Sequence, residues 1–412
     1  MTLEAALARF ARLRSRLAIV LLRVLSVIAG LAYVKSYTGA LTLEEVGTFF
    51  YLSTLSYALN ALIFLPVDSY MQARLAAFEA VPAAATRRLI LATLAVGLLG
   101  CIFVSAPFVY MHRLALADLP WLYAVAALLY LCTSLRNLLN IRGSSVLVSV
   151  MLVMESAGRL MAFLALALLL GKSARTLMVS SALALALELL VILWQCRRRL
   201  PFAAVPHQLD SPSTILRTAA SLSGGAVSNT LQLQTYRVVY PLVGLASASG
   251  VYGIVSNVGA AAMSACASIY SQIESPRLYQ SQGGSIGSFV KGAVVLSLGV
   301  LAVALLFSSF LVGHLTQRQY VPYALGIGFG VVVEACNLVI GGYGVYLTLY
   351  QRTAPLFHLH LLGAVVAVAG CLAALRWFPQ SPMLIGFALA GSQLLITPLM
   401  GLFVLRHRNG KH

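Results

Sequence analysis

The chain has 412 residues, 60% of them hydrophobic and 9% charged, with a mean hydropathy of +0.91. A soluble domain is nearer a quarter charged, so this composition excludes a water-soluble enzyme or binding module and makes the bilayer the solvent. The 28 Lys and Arg against 11 Asp and Glu leave a formal charge of +17; without a nucleic-acid motif, that excess reads as the cytoplasmic enrichment of basic residues in membrane proteins.

At about 20 apolar residues per crossing, the sequence accommodates a dozen helices. It opens with Arg9, Arg12, Arg14 and Arg16 and then an apolar run. A signal peptide has this order, but the run is long and holds Arg23 and Lys35, so it reads as a retained first helix. Predicted spans follow near 17–37, 46–66, 87–111, 119–139, 144–170, 176–195, 217–237, 248–271, 287–312, 321–347, 355–375 and 383–405. The Gly-, Ser- and Ala-rich stretches 217–237 and 248–271 carry the weakest apolar signal, although small residues are what closely packed membrane helices use.

Six cysteines, Cys101, Cys132, Cys196, Cys266, Cys336 and Cys371, lie in or beside apolar segments without metal-ligand spacing and read as packing residues. The longest connection, 200–216, follows Arg197, Arg198 and Arg199 and reads as a cytoplasmic linker between six-helix lobes at 1–199 and 217–412. With twelve spans, about 19 Lys and Arg fall on the side of the termini and about seven on the other. That bias places both termini in the cytoplasm and requires an even number of crossings. The halves also share marks: aligning Gly47 with Gly250 aligns Arg74 with Arg277, as a six-plus-six duplication would.

Charges inside a bilayer cost about 2.5–3.5 kcal/mol each on insertion scales, so each needs a reason. Arg23 in span one reads either as a side chain snorkelling to the headgroups or as a cation lining a hydrated cavity. Glu155 and Arg159 in span five are spaced i,i+4, which suits an intrahelical ion pair and obliges both to face the bundle interior. Arg136 and Arg142, at the end of span four, read as anionic-lipid contacts or as an inner entrance for a phosphate group. Glu188 in span six lies toward Arg197, Arg198 and Arg199 in sequence. Span seven carries a polar stripe of Gly225, Asn229, Gln232 and Tyr236, with Gln234 and Arg237 nearby; a hydrated cavity and interhelical hydrogen bonding both account for it. Span ten repeats the pattern with Glu334, Asn337 and Gly341. Glu334 has no cation near it in sequence, so a neutral hydrogen-bonded acid and a proton- or sodium-coupling acid both remain open.

No catalytic constellation, metal site or cofactor motif is expected. His358 and His360 do not share a helix face. Gly341-Gly342-Tyr343-Gly344 lacks the Lys-Ser/Thr of a phosphate loop.

Leu43-Glu44-Glu45-Val46-Gly47-Thr48-Phe49 opens span two, Tyr236-Arg237 ends span seven, Gly250-Val251-Tyr252 opens span eight, and Asn337, Tyr346 and Gln351-Arg352 mark span ten. Together these resemble the Wzx-type O-antigen and polysaccharide-repeat flippases of the polysaccharide transport family, in the multidrug/oligosaccharidyl-lipid/polysaccharide exporter (MOP) superfamily. Where relatives often carry an acid before the span-seven arginine, this chain has Gln234-Thr235-Tyr236, which leaves Arg237 without an acidic partner in sequence.

The resemblance implies an all-α fold of two six-helix lobes like the MATE transporters, in a bacterial inner membrane. It implies alternating-access transfer of an undecaprenyl-pyrophosphate-linked oligosaccharide from the cytoplasmic to the periplasmic leaflet. Arg23, Arg136, Arg159, Arg237, Asn229 and Gln232 would bind the substrate, and Glu155, Glu188 and Glu334 would couple or gate. A glycan polymerase and a chain-length regulator are the partners it implies. Two alternatives stay open: a multidrug or lipid II exporter of the same superfamily, and a membrane-embedded polymerase or glycosyltransferase, against which the short outer connections speak.

Overall fold

A computed structural model describes residues 3–65, 67–68, 81–141, 143–199, 202–203, 224–225, 227–350 and 354–409. Among them eleven helices are long and apolar enough to cross a membrane. With no water to bond the backbone in hydrocarbon, the chain satisfies its peptide groups within helices. Beyond the helices, the described residues hold a two-residue parallel pairing of Val81–Pro82 with Phe202–Ala203. Side chains such as Phe103, Leu168 and Leu306 are 77–87% exposed, as expected where lipid is the solvent.

In chain order the helices are α1 (Leu3–Ala40), α2 (Leu43–Leu59, continued by a π turn over Asn60–Phe64), α3 (Ala83–Tyr110), α4 (Leu119–Ile141), α5 (Ser145–Leu170) and α6 (Ala174–Arg199). There follow α7 (helical at 227–234, then Tyr236–Leu242), α8 (Ala246–Gln280), α9 (Ile286–Leu306, broken at Phe307 and followed by a short helix Ser308–Leu315), α10 (Ile327–Leu349), α11 (Ala354–Trp377) and α12 (Pro382–Asn409). Of the two weakly apolar stretches, 248–271 lies wholly inside α8. The first part of 217–237 lies outside the described residues, as do Arg74, Arg142, Arg352 and most of the linker 200–216. Two tight connections use a glycine in the left-handed region, Gly143 and Gly171, both at φ +83°.

The contacts divide the chain into two compact units, residues 1–33 with 55–223 and residues 34–54 with 224–412. The expected cut at the linker is therefore incomplete. The α1–α2 hairpin, Val34–Thr54, packs with the second unit, and glycines make that possible. A Cβ on Gly47 would collide with the Ala246 carbonyl, and one on Gly250 would lie 2.7 Å from the Leu43 carbonyl. The two glycines that mark the repeat in sequence thus also touch where α2 meets α8, in the close approach that small residues allow.

Helix direction can be read from the contacts, because two helices running the same way meet at residue pairs of constant separation. In the first unit α1 meets α5 at Ser26–Ser156 (3.0 Å between hydroxyls) and at the Tyr33–Phe163 rings, both 130 residues apart. The α2–α4 seam holds three pairs 66 apart: Ser56 Oγ to the Leu122 carbonyl, Asn60 Nδ2 to the Ala126 carbonyl, and Phe64 stacked on Tyr130. Against α6, α4 sets Cys132 on the Leu185 carbonyl and Arg136 on Glu188, 53 and 52 apart.

The second unit repeats this scheme. Gln232 on α7 abuts Gly363 on α11, Gly330 on α10 abuts the Ser256 carbonyl on α8, and Asn337 on α10 meets Gln393 on α12. The parallel pairs 1–5, 2–4 and 4–6 recur as 7–11, 8–10 and 10–12, which is the duplication expected from the sequence.

The α2–α8 contact gives a direct test. Gly47→Val should destabilise the detergent-solubilised protein by about 1–3 kcal/mol, as overpacking does. Gly30→Ala, where a Cβ meets nothing within 4 Å, should be neutral or stabilising. Equal thermal stability of the two variants would refute a structural role for this close approach.

Candidate functional site

Three helices of the first unit bring four charges together. Glu155 on α5 is the centre: its Oε1 accepts from Arg159 Nη2 at 2.6 Å and its Oε2 from Arg136 Nη1 at 2.6 Å. Arg136, on α4, also lies 3.2 Å from Glu188 Oε1 on α6, an ion pair not aligned as a hydrogen bond. Glu188 is 1% exposed. The i,i+4 spacing of Glu155 and Arg159 gives the pair expected from sequence. The other two members stand elsewhere than the sequence suggested. Arg136 is buried among charges rather than facing lipid, and Glu188 answers Arg136 rather than Arg197 to Arg199. The parallel packing of α4 on α6 brings them together.

Arg23 completes the group. Ser26 bonds Ser156 and the Leu152 carbonyl, docking α1 on α5 one helical turn beyond Arg23. Arg23 lies close enough to Arg136 for the two positive charges to repel, and its buried Nε has no hydrogen-bond partner. The Nε of Arg159 is likewise buried without one, with Tyr33 and Tyr57 beside its guanidinium. Three arginines against two glutamates leave one net positive charge inside a membrane span.

The second unit uses neutral polar groups together with two separate charges, Arg237 and Glu334. The side chain of Gln232 is fully buried and donates to Ser392 Oγ at 2.8 Å, the interhelical role that the polar stripe left open. Asn229 is half-buried, its Oδ1 unpartnered. Arg237 lies apart from both. Its Nε donates to the Tyr236 hydroxyl at 2.7 Å, Nη2 to Asn257 Oδ1 at 3.3 Å, and the guanidinium stands 4.5 Å over the Phe50 ring. Among the described residues no carboxylate pairs with it.

A cavity of about 80 Å³ borders Arg237, Gln234, Asn257 and Glu334. Glu334 also lines a second cavity of about 400 Å³ with Ser264, Ser268, Ser271, Asn337 and Gly341. The signal for these serines in the sequence is their i, i+4, i+7 spacing, which places them on one helix face. Gln393 donates to Asn337 at 3.3 Å beside this cavity. No group of three or more His, Cys, Asp or Glu able to hold a metal occurs among the described residues.

No family model matches the chain, and no curated protein matches it by sequence. Solved structures do match its fold. The Vibrio cholerae MATE transporter VcmN, in a mutant form, is 10% identical with a TM-score of 0.59 over 96% of this chain and 97% of its own. An outward-facing multidrug resistance MATE family transporter of the MOP superfamily is 14% identical with a TM-score of 0.63, over 96% and 95%. A MOP superfamily transporter from Pyrococcus furiosus, described as having a binding pocket of reversed polarity that suggests a different function, is 13% identical with a TM-score of 0.56, over 95% and 94%. The chain is thus a multi-pass membrane protein with the fold of the MATE and MOP transporters.

The charge cluster predicts unequal costs for its two acids. Glu155→Gln removes the negative charge that both arginines share and turns one of the two acceptor oxygens into a donor, and should cost about 3–5 kcal/mol, as breaking a buried pair does. Glu188→Gln, which removes no aligned hydrogen bond, should cost roughly 1 kcal/mol. Reversible unfolding in detergent measures both, and a costlier Glu188→Gln would show that Glu155 is not the centre.

Proposed function

We propose that this protein is a transporter that moves an anionic lipid-linked oligosaccharide, with undecaprenyl pyrophosphate as the carrier, from the inner to the outer leaflet of a bacterial inner membrane by alternating access. The observation that carries this reading is the net positive charge of the Arg23, Arg136, Arg159, Glu155 and Glu188 cluster within membrane-spanning helices. A buried cation without full compensation suits a ligand that brings its own negative charge. Guanidinium groups suit phosphate because their planar fork makes two parallel charge-assisted bonds. In this proposal the two unpartnered Nε groups of Arg23 and Arg159 supply such donors.

The transporter fold is compatible with this argument, and the Pyrococcus furiosus neighbour, described as having a binding pocket of reversed polarity, shows that the fold is not tied to one pocket chemistry. Phosphate oxygens arriving at Arg136 and Arg159 would compete with Glu155, so Glu155 and Glu188 are the groups proposed to couple or gate, with H⁺ or Na⁺ as counter-ion. A glycan polymerase and a chain-length regulator are the proposed partners at the outer leaflet.

Multidrug export is the second reading, favoured by the fold of the multidrug neighbours. A site for cationic drugs would require uncompensated acid, which Glu334 supplies in the second unit, whereas the cluster in the first unit carries excess cation.

Deletion of the protein followed by leaflet-resolved analysis of lipid-linked glycans tests the proposal. Complete repeats should accumulate on the cytoplasmic side. Arg159→Ala should abolish export with the protein at normal levels, and Arg159→Lys, which keeps the charge but not the fork, should reduce it about tenfold. Wild-type export by Arg159→Ala, or repeats reaching the outer leaflet in the deletion strain, would sink the reading.

A further inference from the structure

Hydroxyl groups in membrane helices ordinarily turn back on their own backbone, where the i−4 carbonyl accepts from them. This chain does so repeatedly. Ser53 bonds the Phe49 carbonyl, Thr93 that of Leu89, Ser149 that of Ser145, Ser297 that of Ala293, and Thr397 that of Gln393, all at 2.7–3.0 Å. Ser264, Ser268 and Ser271 on α8 make no hydrogen bond among the described residues; Thr54, Ser134 and Ser249 are unbonded too, but those are enclosed in packing, whereas these three line a cavity. All three line the 400 Å³ cavity, and across it α10 presents Glu334, Asn337 and Gly341. A Cβ on Gly341 would meet nothing within 4 Å, so that glycine holds the space open. The buried ring of Phe289 completes the wall, lodged against Gly342. Glu334 continues the wall into the smaller cavity at Ser256, Asn257 and Arg237. The result is a trough along the α8–α10 seam, with an apolar floor of Ala267, Leu338 and Val345, a polar side of hydroxyls, amides and the Glu334 carboxylate, and Arg237 at the end of the smaller cavity.

We infer that this trough is a carbohydrate-binding subsite for a neutral, polyhydroxylated part of the ligand. It rests on the glycan reading above and assigns the sugars to groups separate from the arginine cluster. The chemistry favours a sugar over an ion. A hard cation gathers six or more oxygens at about 2.0–2.6 Å around one point. Here the three serines spread over about 10 Å of helix, at 1.5 Å per residue. A sugar hydroxyl both donates and accepts, as serine hydroxyls do, and pairs of hydroxyls can be held by the carboxylate of Glu334 and the amide of Asn337.

The test uses the purified full chain in lipid nanodiscs and saturation-transfer NMR. The probes are free disaccharides of glucose, galactose, N-acetylglucosamine and rhamnose, carrying neither phosphate nor lipid. At least one disaccharide should bind the wild type. Its affinity should fall at least about tenfold in the Ser264→Ala/Ser268→Ala/Ser271→Ala variant, from the lost hydrogen bonds. Binding should vanish in Gly341→Leu, which places a side chain in the trough from a position where a Cβ meets nothing, and a melting temperature close to that of the wild type confirms its fold. Arg159→Ala should leave disaccharide binding unchanged. The inference is overturned if no disaccharide binds the wild type, if binding survives both trough variants, or if Arg159→Ala removes it. Sugar binding by a protein that fails to move lipid-linked glycans would sink the transport reading alone. Translocation with disaccharide binding indifferent to both trough variants would sink the subsite alone.

Discussion

Hydrocarbon cannot solvate a guanidinium or a carboxylate, and the first unit is arranged around that constraint. Arg136, Glu155, Arg159 and Glu188 come from three helices and have to meet. Packing makes the meeting possible. Gly158 on α5 faces Ala184 on α6, where a Cβ would sit 3.4 Å from the alanine methyl, so the two helices approach closely one turn from Glu155 and from Glu188. On the other side the Ser26–Ser156 contact brings α1, and Arg23 with it, to the same level. Small residues set the spacing, and the charges then fix which registers are acceptable. A slip by one residue would leave a buried ion alone, at a cost of several kcal/mol.

The second unit solves the same packing problem with neutral groups. The α4–α6 seam joins Arg136 to Glu188, and the corresponding α10–α12 seam joins Asn337 to Gln393. The helix pairing is repeated while the chemistry at the seam changes from ionic to amide. In the proposed function this is a division of labour, with cations for an anionic carrier and hydroxyls and amides for sugars.

Much of this was legible in the sequence. Long apolar runs locate the helices, because each must span about 30 Å of hydrocarbon. The intramembrane charges announce themselves by their cost, and the i,i+4 pair Glu155–Arg159 is local enough to read directly. What the sequence withholds is long-range. Arg136 stands at a helix end and reads as a lipid contact or a phosphate entrance, and its place in an ion cluster stays hidden because its partners are 19 and 52 residues away. Glu188 sits near Arg197 in sequence but answers to another helix. Gly47 and Gly250 read as equivalent positions of a repeat, and only the fold adds that they touch. The face of Ser264, Ser268 and Ser271 is visible as a spacing, but serines in a membrane helix read as packing until the cavity they line is seen.

The unbonded hydroxyls of that face also bear on how a carrier should hold its cargo. A transporter must release what it binds, so its contacts have to be numerous and individually weak. A neutral hydrogen bond contributes about 0.5–1.5 kcal/mol net, and a charge-assisted one about 1.5–3. The strong bonds of the first unit are already committed to one another, Glu155 holding both Arg136 and Arg159, so an arriving anion gains only the difference between its own bonds and those it displaces. The hydroxyls of the trough hold nothing, yet each is weak. Both arrangements keep the net affinity low while leaving the polar surface that a hydrated cargo needs in place of water.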